Sequence, residues 1–245
     1  KNLGKLDKIL ALSSGVIEGI SNIYSYPEDR IVNIGAGYNE KIFYPAEKYE
    51  KQNNVKILYA GKFDESKGFY ELIKAFRLLE KKDNNVELEL IGNLKEDDRP
   101  RVEALVGDSK KIKIYNAVDQ AHLGEIMRHK DIFILPSYFE GLGLIAVEAL
   151  GSGLRVVATE IEGLIEFLGD TINNSEIIEY IAMPTIYDTD KAVEEEKPAF
   201  INRIVGALEL MIERTREQRE IPAELLEEIE HHSWKRKIEI IYKLL

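Results

Sequence analysis

A doubly wound, Rossmann-like α/β fold built on a parallel sheet is what this sequence predicts, and three observations carry it. Short apolar, β-branched runs alternate with segments of helical periodicity from residue 55 to about residue 170. Several of the strand-like runs are continuously apolar, such as "IFIL" at 132–135 and "VVA" at 156–158, which suits a sheet covered on both faces. Two of them lead into loops that carry glycines and then open a helix, and such sheets bind ligands at the carboxyl ends of their strands.

Taken in order, strands are expected at 8–12, 31–34, 55–60, 86–91, 111–115, 131–135 and 154–158. A helix over 69–82 sets Leu72, Ile73, Phe76 and Leu79 on one face, and a helix over 118–130 does the same with Leu123, Ile126 and Met127. After Gly169 the pattern changes, and 170–200 reads as irregular and acidic. Helices follow at about 201–216, 223–231 and 233–244. Ser233 is a plausible N-cap of the last, whose apolar stripe is Trp234, Ile238, Ile241 and Leu245. There is no internal repeat, and the only low-complexity tract is the short "EEE" at 194–196.

Composition narrows the function classes. A chain of 245 residues with 44% hydrophobic and 31% charged residues has ample material for a core. A net charge of -11 argues against a nucleic-acid partner, because there is no basic excess to displace counterions. The absence of cysteine excludes disulfides and thiolate metal sites, and the expected location is cytoplasmic. No apolar run is long enough to span a bilayer and no signal peptide is visible. The chain opens at Lys1 and its first methionine is Met127, so it is read as part of a longer protein.

Several weaker signals carry bland readings. Asp188-Thr189-Asp190 is a D-x-D, read as a solvated turn in an acidic loop. His231-His232 lacks any companion ligand pattern, and His122 and His129 are read as facing solvent or a loop. Gly35-Ala36-Gly37 lacks the third glycine of a dinucleotide loop, since Glu40 stands there. A stronger rival is Gly141-Leu142-Gly143-Leu144-Ile145-Ala146, a G-x-G-x-x-A followed by Glu160 or Glu162 at about the distance of a ribose-binding acid. Against a nicotinamide site, residues 136–140 intervene between strand and first glycine, and the match lies late in the domain.

One residue poses a sharper question. Between Gly141 and Gly153 every residue is apolar or small apart from Ser152 and Glu148. A buried, unpaired carboxylate costs several kcal/mol or gives up its charge, so either a side chain such as Lys62 or Lys67, or a ligand, must meet Glu148. Upstream, Gly61 ends a strand and is followed by Lys62 and by Lys67-Gly68 before a helix. Glycines admit close backbone approach, helix N-termini offer free amides and lysines supply charge, so the two loops form two anion-binding lips. A diphosphate fits between them, and Glu148, one turn into its helix, can accept hydrogen bonds from ribose hydroxyls. On this reading the ligand satisfies Glu148.

At "GKFDESKGFYELIKAF", at "LPSYFEGLGLIAVEALGSGLRVVATEIEGLIEF" and at the Glu140/Glu148 E-x7-E pair, the chain resembles the C-terminal, donor-binding half of a retaining, group-one glycosyltransferase of the GT-B fold. The resemblance covers roughly 30–170. "RIVNIGAGYNEKIFYP" is similar to the family's interdomain segment and "HSWKRKIEIIYKLL" to its terminal helix. It implies that Lys67 binds the diphosphate, that Glu148 binds the ribose, that Glu140 lies close to the donor sugar, and that the amides after Gly141 contact sugar and phosphate. Three departures stand out: Lys62 where the family usually has arginine, Asn116 where a glycine is common near the base, and Arg155 in place of a proline. The stretch 171–200 matches nothing in the family pattern, and the acceptor-binding half, with its histidine, has no counterpart beyond about residue 39.

The expected organisation is therefore 1–39 as the end of the acceptor domain and interdomain segment, 40–220 as the donor-binding domain, and 221–245 as C-terminal helices packing toward the missing half. The expected function is binding of a nucleotide-diphosphate sugar for retaining, metal-independent hexosyl transfer, inactive without the other half. Lys67, Glu140 and Lys62 are the catalytic candidates; Gly61, Lys62, Lys67, Glu140, Gly141, Leu142, Gly143, Leu144 and Glu148 are the donor-binding candidates. No cofactor and no metal are expected. The acceptor is left open among glycan, lipid and small molecule, and peripheral membrane contact belongs to the missing half. A non-catalytic nucleotide-binding module and an NAD-dependent oxidoreductase are the alternatives.

Overall fold

The computed structural model describes residues 3–47 and 53–244. The chain begins with β1 (Ile9–Ala11), α1 (Ser14–Tyr24) and β2 (Ile31–Asn33). Six strands then alternate with five helices: β3 (Val55–Ala60), α2 (Phe69–Lys82), β4 (Val86–Ile91), α3 (Arg99–Val106), β5 (Ile112–Tyr115), α4 (Gln120–Met127), β6 (Ile132–Leu135), α5 (Leu144–Gly151), β7 (Arg155–Thr159), α6 (Glu162–Asn173) and β8 (Ile178–Ile181). A hairpin of β9 (Ile186–Tyr187) and β10 (Lys191–Ala192) leads to α7 (Lys197–Glu217), α8 (Ala223–Glu230) and α9 (Trp234–Leu244).

The main sheet has the order β5-β4-β3-β6-β7-β8 and is parallel throughout. Successive strands move outward from β3 to one edge, and the chain then returns to lay β6 on the other side of β3. That reversal opens a crevice at the carboxyl ends of β3 and β6. Both faces are covered. Ile57 and Tyr59 of β3 and Ile132 and Ile134 of β6 pack with α2 and with Phe200, Ile204, Leu208 and Met211 of α7. The alternate residues Leu58, Ala60, Phe133 and Leu135 pack with α5, with Leu164 and Leu168 of α6 and with Ile229 of α8. Strand pleating sends neighbours to opposite faces, so a strand buried on both sides is apolar along a continuous run, as β6 is at all four positions.

The structure amends the expected elements in several places. The runs at 8–12 and 31–34 form strands, but in a separate two-stranded parallel sheet joined by α1. α1 is absent from the expected elements although Ser13 caps it, its hydroxyl accepting from the Val16 amide at 3.3 Å. The stretch expected to be irregular contains the last turn of α6, the edge strand β8 and the β9/β10 hairpin, and α7 starts at Lys197. β8 is a four-residue edge strand that is hard to read: Ile178 and Ile181 are buried, and between them Glu179 pairs with Arg214 of α7 at 2.9 Å. Arg155 is buried at the start of β7, where its guanidinium donates to the Glu176 carbonyl at 3.1 Å and to that of Gln218. α8 packs on α5 and α6. Of the stripe on α9, Trp234 and Ile238 are exposed, whereas Leu245 lies outside the described residues.

Candidate functional site: two loops over the switch point

The loop after β3 is built tightly. The Gly61 amide donates to the Ile91 carbonyl at 3.0 Å, and a Cβ on Gly92 would lie 2.1 Å from the Gly61 carbonyl oxygen, so the ends of β3 and β4 close on each other. The Tyr59 hydroxyl donates to the Lys62 carbonyl at 2.6 Å, and Phe63 stacks on Phe69 at 4.3 Å, which anchors the loop to the first turn of α2. A 3₁₀ turn, Glu65–Lys67, delivers Lys67, and Gly68 then enters α2 in the left-handed region at φ 62°. A side chain at Gly68 would meet the Pro136 carbonyl oxygen at 2.1 Å. Glycine is required there twice over, by conformation and by contact.

The loop after β6 meets it. The Tyr138 amide donates to the Ser66 carbonyl at 2.8 Å, and the Thr159 hydroxyl of β7 fixes the Ser137 carbonyl at 2.6 Å. Lys67 crosses between the loops: its ammonium lies 2.8 Å from a Glu140 carboxylate oxygen and 3.1 Å from the Phe139 carbonyl oxygen. Ser137 donates to the same carboxylate oxygen at 3.1 Å. An ammonium has three N–H donors, so one remains. A Cβ on Gly141 would have nothing within 4 Å, so packing does not account for that glycine. Gly143, at φ 69°, caps α5, whose first amides have no partner within the helix. Leu144 opens that helix.

Glu148, on the second turn of α5, is 8% exposed. Lys67 pairs with Glu140 instead, and no described side chain forms a hydrogen bond or ion pair with Glu148. Burial alone pushes its carboxyl up to about 7. Ile145, one turn earlier on the same face, lines a cavity of about 580 Å³ together with Gly61, Lys62, Asp64, Asn93, Lys95, Val118 and Leu123. That volume falls within the ~300–1,000 Å³ typical of small-molecule sites. Lys67, Glu140, Gly141, Gly143, Leu144 and Glu148 do not line it, and Leu142 lines a separate cavity of about 230 Å³ with Ser13, Asn33, Gly163 and Phe167. Asn93, Lys95 and Val118 are absent from the sequence-derived candidates; their signal is Gly92, which follows β4 as Gly61 follows β3.

The weaker signals resolve into packing and turns. Asp188 and Thr189, both with positive φ, form the tip of the β9/β10 hairpin, and Asp188 pairs with Lys191 at 2.6 Å. Among the described residues no three histidines or carboxylates gather as a metal site. His232 lies on Phe167 at 4.5 Å, and burial, then the nearby Lys237 charge, pulls its pKa down to about 4. Gly35 and Gly37 leave room for Phe167 and Trp234, with an added Cβ only 2.9 and 2.7 Å from those rings. Among the described residues no helix is long and apolar enough to cross a membrane.

A parallel sheet covered on both faces at its centre, whose order reverses beneath two glycine-bearing loops, defines an α/β protein of the Rossmann-like type found in GT-B glycosyltransferases. The Glycosyl transferases group 1 family matches residues 35–180, and the chain belongs to that family. It is 26% identical over 181 residues to an uncharacterized glycosyltransferase of Methanocaldococcus jannaschii, a match covering 68% of this chain and 45% of that protein. Its structure resembles sucrose-phosphate synthase from Thermosynechococcus elongatus, with a TM-score of 0.69 at 20% identity over 99% of this chain and 58% of the other. The pneumococcal O-GlcNAc transferase GtfA, solved with UDP and GlcNAc, is similar at a TM-score of 0.65 and 21% identity, over 99% of this chain and 45% of that one. The chain spans about half the length of the curated relatives it matches.

Proposed function

We propose that this chain is the donor-binding half of a retaining glycosyltransferase and that its crevice takes a nucleotide-diphosphate sugar without a metal ion. The observation that carries the reading is Glu148: a buried carboxylate with no partner among the described side chains, on the helix that the glycine loop opens. Hydrogen bonds from vicinal ribose hydroxyls would satisfy it. Lys62, Lys67 and the amides of Leu144 and Ile145 then stabilise the negative charge that grows on the leaving diphosphate, which is electrostatic catalysis by groups already in place. Glu140 and the Gly141–Leu144 backbone orient the sugar, with Gly61 and Gly141 admitting the ligand close to the chain. The acceptor, whether glycan, lipid or small molecule, is met by the rest of the protein.

The test is calorimetric titration with UDP, GDP and ADP, and with NAD. At least one nucleoside diphosphate should bind, and Lys67→Ala should weaken it tenfold or more, because charge-assisted hydrogen bonds contribute about 1.5–3 kcal/mol each. Chelator should leave the dissociation constant unchanged. Binding of NAD alone would favour the oxidoreductase alternative, and undiminished binding by Lys67→Ala would remove the phosphate assignment.

A further inference from the structure

We propose that Lys197 is a positioning residue for the phosphate lip: by neutralising Glu65 it leaves Lys67 available to the diphosphate. The proposal rests on the nucleotide-sugar reading above. Lys197 comes from the stretch 171–200 that the family resemblance leaves unexplained, and it opens α7 with only 5% of its surface exposed. A cation at that position faces the positive end of the helix dipole, and burial adds a desolvation cost. Its surroundings offset both. The ammonium donates to the carboxylates of Glu65 and Glu194. Burial pulls its pKa down, but those two hydrogen bonds and the charges of Glu65 and Glu71 outweigh it and leave a net rise.

Glu65 begins the same 3₁₀ turn that ends in Lys67. Two backbone bonds hold that turn, Lys67 N to Asp64 O at 3.3 Å and Gly68 N to Glu65 O at 2.9 Å, and β10 packs against it. Beneath the turn, Glu71 is fully buried with neither carboxylate oxygen hydrogen-bonded, and Lys74 approaches it only to 3.8 Å. Burial, and then the Glu71 charge, pushes up the pKa of the Tyr138 hydroxyl on the other lip. Lys197 thus stands among three glutamates, one of them two residues from Lys67. Removing its charge leaves the Glu65 carboxylate unneutralised in the turn that carries Lys67, where it would draw the Lys67 ammonium or repel phosphate.

The experiment uses the tightest-binding of UDP, GDP and ADP, with its parent nucleoside as control. Lys197→Met should weaken the diphosphate at least fivefold and change nucleoside affinity less than twofold. Adding Glu65→Gln to Lys197→Met should restore diphosphate binding to within about twofold of the unaltered chain, which loss of a purely structural prop would not allow. Glu65→Ala, at a side chain 43% exposed, keeps the test open should Lys197→Met fail to fold, and it should bind the diphosphate at least as well as the unaltered chain. Unchanged binding by Lys197→Met, no recovery in the double variant, or weaker binding by Glu65→Ala would each overturn the proposal. If the unaltered chain binds nucleoside and diphosphate alike without preference, the functional reading falls, and this inference falls with it.

Discussion

Glu148 holds a carboxyl in a place that stabilises its neutral form. With a folded-state pKa of about 7 against an ordinary 4.5, the native protein binds more protons than the unfolded chain between those values. The sign follows: stability falls as pH rises from about 4.5 to about 7 and levels off above. Glu148→Gln should therefore stabilise the protein near pH 8, by up to about 3 kcal/mol, because each tenfold change in proton affinity corresponds to about 1.36 kcal/mol; near pH 4 it should do nothing. Urea unfolding at both pH values measures this, and a loss of stability near pH 8 would mean that Glu148 has a native partner. Ligand binding should run the other way. The ionised carboxylate is the better acceptor for ribose hydroxyls, so affinity for a nucleotide-diphosphate sugar, whose phosphates do not titrate there, should rise with pH through about 7 in the native chain but not in Glu148→Gln. A residue that costs stability and gains binding is what a functional site leads one to expect.

The glycines of the two loops separate structural from functional demands at the scale of the element. Gly68→Ala forces a left-handed φ on alanine and places its Cβ against the Pro136 carbonyl, so it should lower stability by about 2 kcal/mol or more and pull the lips apart. Gly141→Ala meets empty space and should leave Tm within about 2 °C while weakening nucleotide-sugar binding. Melting and titration of both variants decide it; a Gly141→Ala chain that binds normally would deny that the ligand approaches there. The same elements show what a sequence can reveal. β3, β6 and β7 are legible because burial leaves apolar runs in them, and β4 because Val86, Leu88 and Leu90 alternate with Glu87 and Glu89. β8 is not, because it is a four-residue edge strand in which Glu179 and Tyr180 lie between Ile178 and Ile181, too short for alternation to stand out. The lips are legible from their glycines and lysines. The pairing of Lys67 with Glu140 rather than Glu148, by contrast, depends on how two loops about 70 residues apart close over the sheet, which periodicity does not encode.

For the whole molecule, the sheet reversal puts the crevice at one end of the domain, and the chain spans about half the length of its relatives. Holding two substrates in register contributes up to about 7–11 kcal/mol to a transfer. Residues 1–245 alone should therefore bind donor without acceptor-dependent transfer, which a radiolabelled-sugar assay against a chain extended before Lys1 would show; equal rates would place a whole active site in this chain. The position of the bound nucleotide is the most direct test of the donor site. A crystal structure with the tightest-binding nucleoside diphosphate should show both ribose hydroxyls within about 3 Å of the Glu148 carboxylate and the diphosphate at the Lys67 ammonium and the first amides of α5. A nucleotide bound elsewhere, with Glu148 still unpaired, would contradict it.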